Sequence, residues 1–220
     1  MRRAVTVVLF LAAALAGCAS PTPSPTLTGE GFRLEPVRPA RADQLADARD
    51  QLQGRVDFMR SGVRVTVSDG GLYVEMPLNE ATPSFVERLT SRGEVWLVPV
   101  PPGDEIPVAG QQLDLRPLIR NDGFAQASVG ESDGRQTLQF AFTPEAAAVL
   151  GAHSSDHVGE VIAIVVDGIV VAAPIIQSPI LDGGMVIEGG GGRDDLAWIV
   201  GVLRFGVLEI ELTGGPYGTG

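Results

Sequence analysis

Residues 161–181 are almost wholly apolar, and any fold this chain adopts has to hide them. A run of that length could cross a bilayer as a helix. Asp167-Gly168 breaks it in the middle and Pro174 and Pro179 break it again, and an aspartate at a bilayer centre costs roughly 2.5–3.5 kcal/mol. Asp-Gly is also a two-residue hairpin signal. The run therefore reads as a buried hairpin, Val161 to Ala173, followed by a segment from Ile175 to Ile187 that meanders back. Strands carrying Ile162, Ile164, Val166, Ile169 and Val171 exceed what a two-stranded hairpin buries on one face. Either other elements cover both faces, or some of this surface binds an extended peptide along a sheet edge. In the second case Ile169, Ile175, Ile176 and Ile180 are the candidate contacts.

The patterning before and after this run is regular. Leu45, Ala48, Leu52, Val56 and Met59 recur at helical steps from Asp43 to about Arg60, and Gly62 closes that helix. Val63, Val65 and Val67 alternate with polar residues, Asp69-Gly70-Gly71 turns the chain, and Leu72, Val74 and Met76 resume the alternation. Thr82-Pro83 starts a second helix carrying Phe85, Val86 and Leu89, and Val95 to Val100 is a strand. With a short strand near Phe32 to Leu34, the order is β-α-β-β-α-β. The expected fold class is α+β: a ferredoxin-like antiparallel base sheet with helices on one face, plus an inserted α+β head. In the head, Thr137 to Phe142 is a strand and Thr143-Pro144-Glu145 starts a helix to about Leu150. After Gly189 to Gly192, Asp194 or Asp195 caps a helix through Leu203, and Val207 to Leu212 is a last strand. That helix and strand are expected back on the base.

Met1-Arg2-Arg3 and the apolar run Ala4 to Ala14 have the form of a cleaved signal peptide. Leu15-Ala16-Gly17-Cys18 resembles the lipobox of bacterial lipoproteins, which makes Cys18 the expected lipidation (palmitate) site. The alternative is an ordinary secretory peptide with an incidental cysteine. The prolines at 21, 23 and 25 suit an extended tether. Cys18 is the only cysteine, so the mature domain has no internal disulfide. Losing Arg2 and Arg3 with the leader moves the formal net charge from −11 to −13. Such a surface repels phosphate, so no nucleic acid partner is expected and attachment to a membrane falls to the lipid. All sixteen basic residues are arginine; without lysine there is neither a Walker-type loop nor Schiff-base chemistry.

Few residues suggest chemistry. His153-Ser154-Ser155-Asp156-His157 places two histidines four apart, with Asp156 and Glu160 near, yet lacks the glutamate of His-Glu-x-x-His and follows a helix end. It reads as a polar surface loop. Gly189 to Gly192 has no Gly-Lys-Ser/Thr after it and two aspartates where a phosphate would sit. Asp43, Asp47, Asp50 and Asp57 are spaced as solvated helix positions, with Arg49 and Arg60 in reach. No catalytic residue, no metal site and no cofactor is expected.

Taken in order, Phe142-Thr143-Pro144-Glu145-Ala146-Ala147, the stretch Val158 to Gly168, Ala173-Pro174-Ile175-Ile176-Gln177-Ser178-Pro179-Ile180, Ile187-Glu188-Gly189 and Leu203 to Leu208 resemble the first large extracytoplasmic domain of SecD. SecD is a subunit of the SecDF protein-export complex. Gly54-Arg55-Val56-Asp57 and Ser61 to Val65 resemble the base of that domain. The resemblance implies a base and head that contact translocating polypeptide outside the membrane. Ile169 stands where the family commonly has lysine. The chain also runs from Leu212 into a Gly-rich tail where SecD proteins continue into a proton-driven membrane bundle, so a detached head on a lipid anchor is expected. The expected organisation is signal peptide 1–17, tether 18–31, base 32–102, head 103–190, returning base 191–213 and flexible tail 214–220. The expected role is a non-enzymatic binding module, lipid-anchored on the extracytoplasmic side of the cell membrane, for unfolded exported polypeptide beside the Sec translocation machinery. The other reading is an envelope scaffold lipoprotein that binds one folded partner.

Overall fold

In the computed structural model, residues 29–59, 62–188 and 193–215 are described. Antiparallel sheets and helices alternate along the chain, as the α+β expectation requires. Cys18, the tether through Thr28 and Gly189 to Gly192 lie outside the described residues.

The base sheet is built from β1 (Gly31–Pro36), β2 (Arg64–Ser68), β3 (Gly71–Glu75) and β10 (Leu212–Gly214), in the order β10-β1-β3-β2. The β2–β3 turn holds Asp69 at φ 47° and Gly70 at φ 78°, the left-handed pair that a two-residue hairpin needs. Leu34, Leu72 and Val74 point to one face and pack with Leu52 and Val56 of α1 (Ala42–Met59) and Phe85 and Leu89 of α2 (Pro83–Thr90). Arg33, Thr66 and Tyr73 take the other face, only part-buried. Helix α2 starts where Thr82-Pro83 predicts: the Thr82 hydroxyl accepts the Phe85 N–H at 3.2 Å, and Pro83 needs no partner for its missing N–H.

The last strand of the base is not the expected one. β4 (Val95–Pro99) pairs with β7 (Ile162–Val166), not with the base, and the place beside β1 goes to β10. Val95 and Leu97 feed one core, while Val98 and Val100 feed another. A strand apolar on both faces needs cover on both, and the base sheet has helices on one face only. β10 also sits C-terminal to its expected position, so Gly214, assigned to the tail, pairs with Leu34.

Two three-stranded sheets make the head: β4-β7-β8, with β8 at Ile169–Ala172, and β5-β6-β9, with β5 at Phe124–Ser132, β6 at Arg135–Phe142 and β9 at Gly184–Glu188. All five residues of β7 are buried. Ile162, Ile164 and Val166 join Leu138, Phe140 and Leu150 in the main core, whereas Ala163 and Val165 face a second cluster closed by Leu113 and Leu115. Both faces of the apolar hairpin are thus covered. Among the described residues no helix is long and apolar enough to cross a membrane.

Two helices depart from expectation. Helix α3 (Pro144–Asp156) runs past Leu150 because Ser154 is buried against the 180 segment, which supports the last turn. Helix α4 (Arg193–Phe205) begins at Arg193, so Asp194 and Asp195 fall inside it, not at its cap. It also does not settle on the base sheet: Leu196, Ile199, Val200 and Val202 belong to the head core. Its other side meets α1 at two glycines. A Cβ on Gly54 would lie 2.3 Å from the Phe205 ring, and one on Gly201 would lie 3.5 Å from Arg55 Cα. Helix α4 is the beam between base and head.

Candidate functional site

Unpaired strand edges present main-chain groups to whatever approaches, so their cover decides where a partner can pair. Gln53 clasps β2: its Oε1 accepts the Val65 N–H at 2.7 Å and its Nε2 donates to the Val63 carbonyl at 3.0 Å. The outer edge of β4 is closed by Leu97 N–H to Ile119 at 2.9 Å, Leu118 N–H to Leu97 at 2.8 Å and Val95 N–H to the Asn121 Oδ1 at 2.8 Å. β8 is closed by residues 110–113: Gly110 N–H donates to Val170, Val170 N–H to Gln111 and Leu113 N–H to Gly168, each at 2.8 Å. β5 has α4 against it.

β5, β9 and β10 each have a single strand partner among the described residues, β6, β6 and β1, and of these three β9 lines a groove. The Phe142 N–H donates to Gly183 at 2.9 Å, so antiparallel alternation turns the Met185 and Ile187 main chain toward β6 and that of Gly184 and Val186 outward. The outward Gly184 N–H meets the Asp182 carboxylate at 3.3 Å. No hydrogen-bond partner is seen for the Val186 main chain among the described residues on that outer side.

Beside this edge runs a groove of about 400 Å³, walled by Pro174 to Asp182 on one side and β9 on the other. Three large apolar side chains stand open on it: Ile175 is 47% exposed, Val186 60% and Leu181 75%. Asp182 is its one charged lining residue. The wall is fixed. Ile162 N–H donates to Pro174 at 3.0 Å, and Gly159 and Ile176 exchange with Ile176 and Glu160 at 2.8 and 2.9 Å. Farther on, the Ser154 hydroxyl accepts the Ile180 N–H at 2.8 Å, and Gly151 lets the Ile180 carbonyl come within 3.4 Å of where a Cβ would stand.

The structure separates the four expected contact residues. Ile175, Ile176 and Ile180 all border the groove, but only Ile175 stands open on it. Ile176, 3% exposed, is a core residue, because its ladder with residues 159–161 puts it and Ile175 on opposite faces. Ile169 lies at a different cleft of about 720 Å³, between α2 and β8, with Val171 and Trp198. The Trp198 indole N–H there donates to the Arg88 carbonyl at 3.1 Å.

The Asp167-Gly168 tip is docked, not free. Asp167 Oδ1 accepts the N–H groups of Gly93 at 3.0 Å and Glu94 at 2.8 Å, which pins the hairpin to the base-to-head crossing. Arg55, fully buried, donates to the carbonyls of Ser91 at 2.8 Å, Arg92 at 3.0 Å and Gly206. Burial pushes its guanidinium down to about 10, and Asp167 pulls the other way. The sequence placed Arg55 only within the family resemblance, beside Val56 of the apolar stripe; its burial against Gly93, φ 86°, comes from the structure.

His153 and His157 stack at 4.1 Å between centroids, and His157 Nδ1 bonds the His153 carbonyl at 2.7 Å. Burial, with His157 adding to it, holds His153 below the usual histidine range. Among the described residues no group of three or more metal-ligating side chains converges. Two of the four aspartates of α1 lie in solvent-exposed pairs, Arg41 with Asp43 and Arg49 with Asp50, both at 3.1 Å, and Asp57 accepts from the Gln53 amide at 2.7 Å.

The family model of the SecDF P1 head subdomain matches residues 103–210, so the family's head extends through α4, beyond the expected boundary at 190. A SecD protein translocase subunit of Rhodobacter capsulatus is 33% identical over 122 residues, which cover 52% of this chain and 22% of that protein. A SecDF protein translocase subunit of Thermus thermophilus is 36% identical over 97 residues, 44% of this chain and 13% of that one. The chain thus spans less than a quarter of the length of these relatives. A solved structure of SecDF, described as a membrane component that enhances protein export, matches 87% of this chain and 100% of its own at TM-score 0.57 and 23% identity. SecDF in a super-membrane-facing form matches 84% of this chain and 30% of its own at TM-score 0.59 and 24% identity. The fold is that of these SecDF structures and residues 103–210 match the SecDF P1 head subdomain: the chain carries a SecD-type P1 domain.

Proposed function

We propose that this chain is a non-enzymatic, lipid-anchored SecD-type domain that holds or guides unfolded, exported polypeptide on the extracytoplasmic side of the cell membrane, near the Sec translocation machinery. The observation that carries the reading is the coincidence of motif and groove. Pro174 to Ile180, which carry part of the family resemblance, form with Leu181 and Asp182 the wall on which Ile175 and Leu181 stand open, and the opposite wall is strand β9. A groove of mixed lining, with Ile175, Leu181 and Val186 open beside Gln177, Ser178 and Asp182, suits both the main chain and the apolar side chains of segments that are hidden once a client has folded. Acylation of Cys18 would place it at the membrane, with the lipid and not the acidic polypeptide supplying the attachment.

The test uses the full chain in detergent micelles, titrated with an exported protein held unfolded by reduction and alkylation, and with the same protein folded. Preferential binding of the unfolded form, weakened by Ile175→Asp without loss of the folded signal of the domain, is the expected result. Equal binding of both forms, or binding of neither, refutes the client-holding role; a single saturable folded partner in crosslinking from cells would put the scaffold reading in its place. Membrane fractionation of Cys18→Ala tests the anchor separately, and the variant is expected to leave the membrane fraction.

A further inference from the structure

We propose that the outer edge of β9 is a strand-addition site for an extended, non-acidic segment of polypeptide, which pairs with the Val186 main chain while alternate side chains rest on Ile175 and Leu181. This rests on the polypeptide-binding reading above and gives it a mode and a charge preference.

β4 and β8 are closed by chain segments, and β2 by the Gln53 amide. At β9 the outward Gly184 N–H is occupied by Asp182, and the next outward pair of groups, the N–H and C=O of Val186, faces the groove. A main-chain donor and acceptor on one residue are what an antiparallel partner exchanges with. Flanking them are exposed apolar side chains on both walls: Val186 on the edge strand, Ile175 and Leu181 on the facing segment. Main-chain pairing supplies affinity without demanding sequence, and the apolar wall selects for alternating apolar residues.

Charge chooses among occupants. The lining has one carboxylate, Asp182, and no cation, on a chain of formal net charge −11. An acidic segment is repelled, and so is a second copy of the same chain, which would bring β9 against β9 with both charges doubled up. A neutral or basic strand meets neither obstacle. Proline is excluded from the segment at the rung facing Val186, because that rung needs an N–H.

The probe is a synthetic peptide of alternating valine and threonine ended by arginines, titrated against the full chain in detergent micelles by fluorescence anisotropy. Two further versions carry N-methyl groups on one or the other alternate set of amides, and a fourth is ended by glutamates. The expected result is that one N-methylated set binds about tenfold more weakly or worse while the other binds like the parent, and that the glutamate-ended peptide binds more weakly than the arginine-ended one. Val186→Pro, which removes the outward N–H at an edge position where proline is tolerated, is expected to weaken the parent peptide similarly. If Val186→Pro disturbs folding, the N-methyl comparison on the unaltered chain decides alone. Equal binding of both N-methylated sets overturns strand addition, and the polypeptide reading stands if unfolded client still binds. No binding of any peptide overturns the proposal, and the unfolded-client titration then decides the wider reading. Concentration-dependent dimerisation lost in Val186→Pro assigns the edge to a second copy and overturns it also.

Discussion

The two head sheets share a core but not a fate. In β4-β7-β8 both faces are packed and both edges are bonded, by residues 118–121 on one side and 110–113 on the other. In β5-β6-β9 the β9 edge has no further strand beside it among the described residues and borders a groove on which Ile175, Leu181 and Val186 are exposed. The most apolar of the described strands, β7, is the most thoroughly enclosed, while its neighbour β8 keeps Ile169 exposed at the other cleft. Hydrophobic patterning marks what is enclosed; the bonding of each edge marks what is open to a partner strand.

The largest effect that would break this contrast lies where the sealed sheet is tied to the base. Arg55→Ala leaves the carbonyls of Ser91, Arg92 and Gly206 without their donor in a buried site, and is expected to cost roughly 3–5 kcal/mol in urea denaturation. Within the head, Ile164→Ala on β7 should cost roughly 2–5 kcal/mol, whereas Val186→Ala on β9 should stay within about 0.5 kcal/mol. Equal costs at these two positions would erase the distinction between the sheets. Thr143→Ala removes the hydroxyl that accepts the Ala146 N–H at 3.3 Å and caps the helix supporting the groove wall; it should cost about 1 kcal/mol in the same assay.

The smallest expected effect concerns pH. His153 has a folded pKa below its free value, so the unfolded chain binds its proton more readily. Its contribution is present above the ordinary histidine range and is lost as pH falls through the folded value. Denaturation midpoints compared between neutral and mildly acidic buffer should drop on acidification, and the drop should shrink in His153→Gln.

Local signals in the sequence were reliable where the structure they specify is local. Asp69-Gly70 and Asp167-Gly168 turn as their left-handed residues require, and Thr82-Pro83 and Thr143-Pro144 start helices with the hydroxyl bonds those pairs imply. Partner choice was not legible. Nothing in Val95 to Pro99 says that it pairs with residue 162–166 strands instead of the base, because register with a distant strand depends on which faces need cover. β5 was missed: its small residues Ala125, Ala127, Ser128 and Gly130 give little alternation, and it is fixed by β6 and α4. At the candidate site, the segment 173–180 was visible as a motif, but Pro174 interrupts the period-two pattern, so which of Ile175 and Ile176 faces out depends on the ladder with residues 159–161. The length of α3 likewise depended on a contact between Ser154 and Ile180 that no helical signal encodes.

The order of strands in the base, β10-β1-β3-β2, sets a schedule. β1, β2 and β3 leave the ribosome before the head and can pair in the order β1-β3-β2, but the other side of β1 is filled by Leu212–Gly214, which comes after the whole head. Pairings so distant in sequence are slow to form, and chains are made from the N-terminus. Until residue 212 arrives, β1 has an open side and Leu208, Ile210 and Leu212 are missing from the base core. The head is therefore a long interruption that must collapse before its own foundation can close. A truncation before residue 208 would strand the nascent base as an unsealed sheet, the species most prone to pair with a neighbour of its own kind.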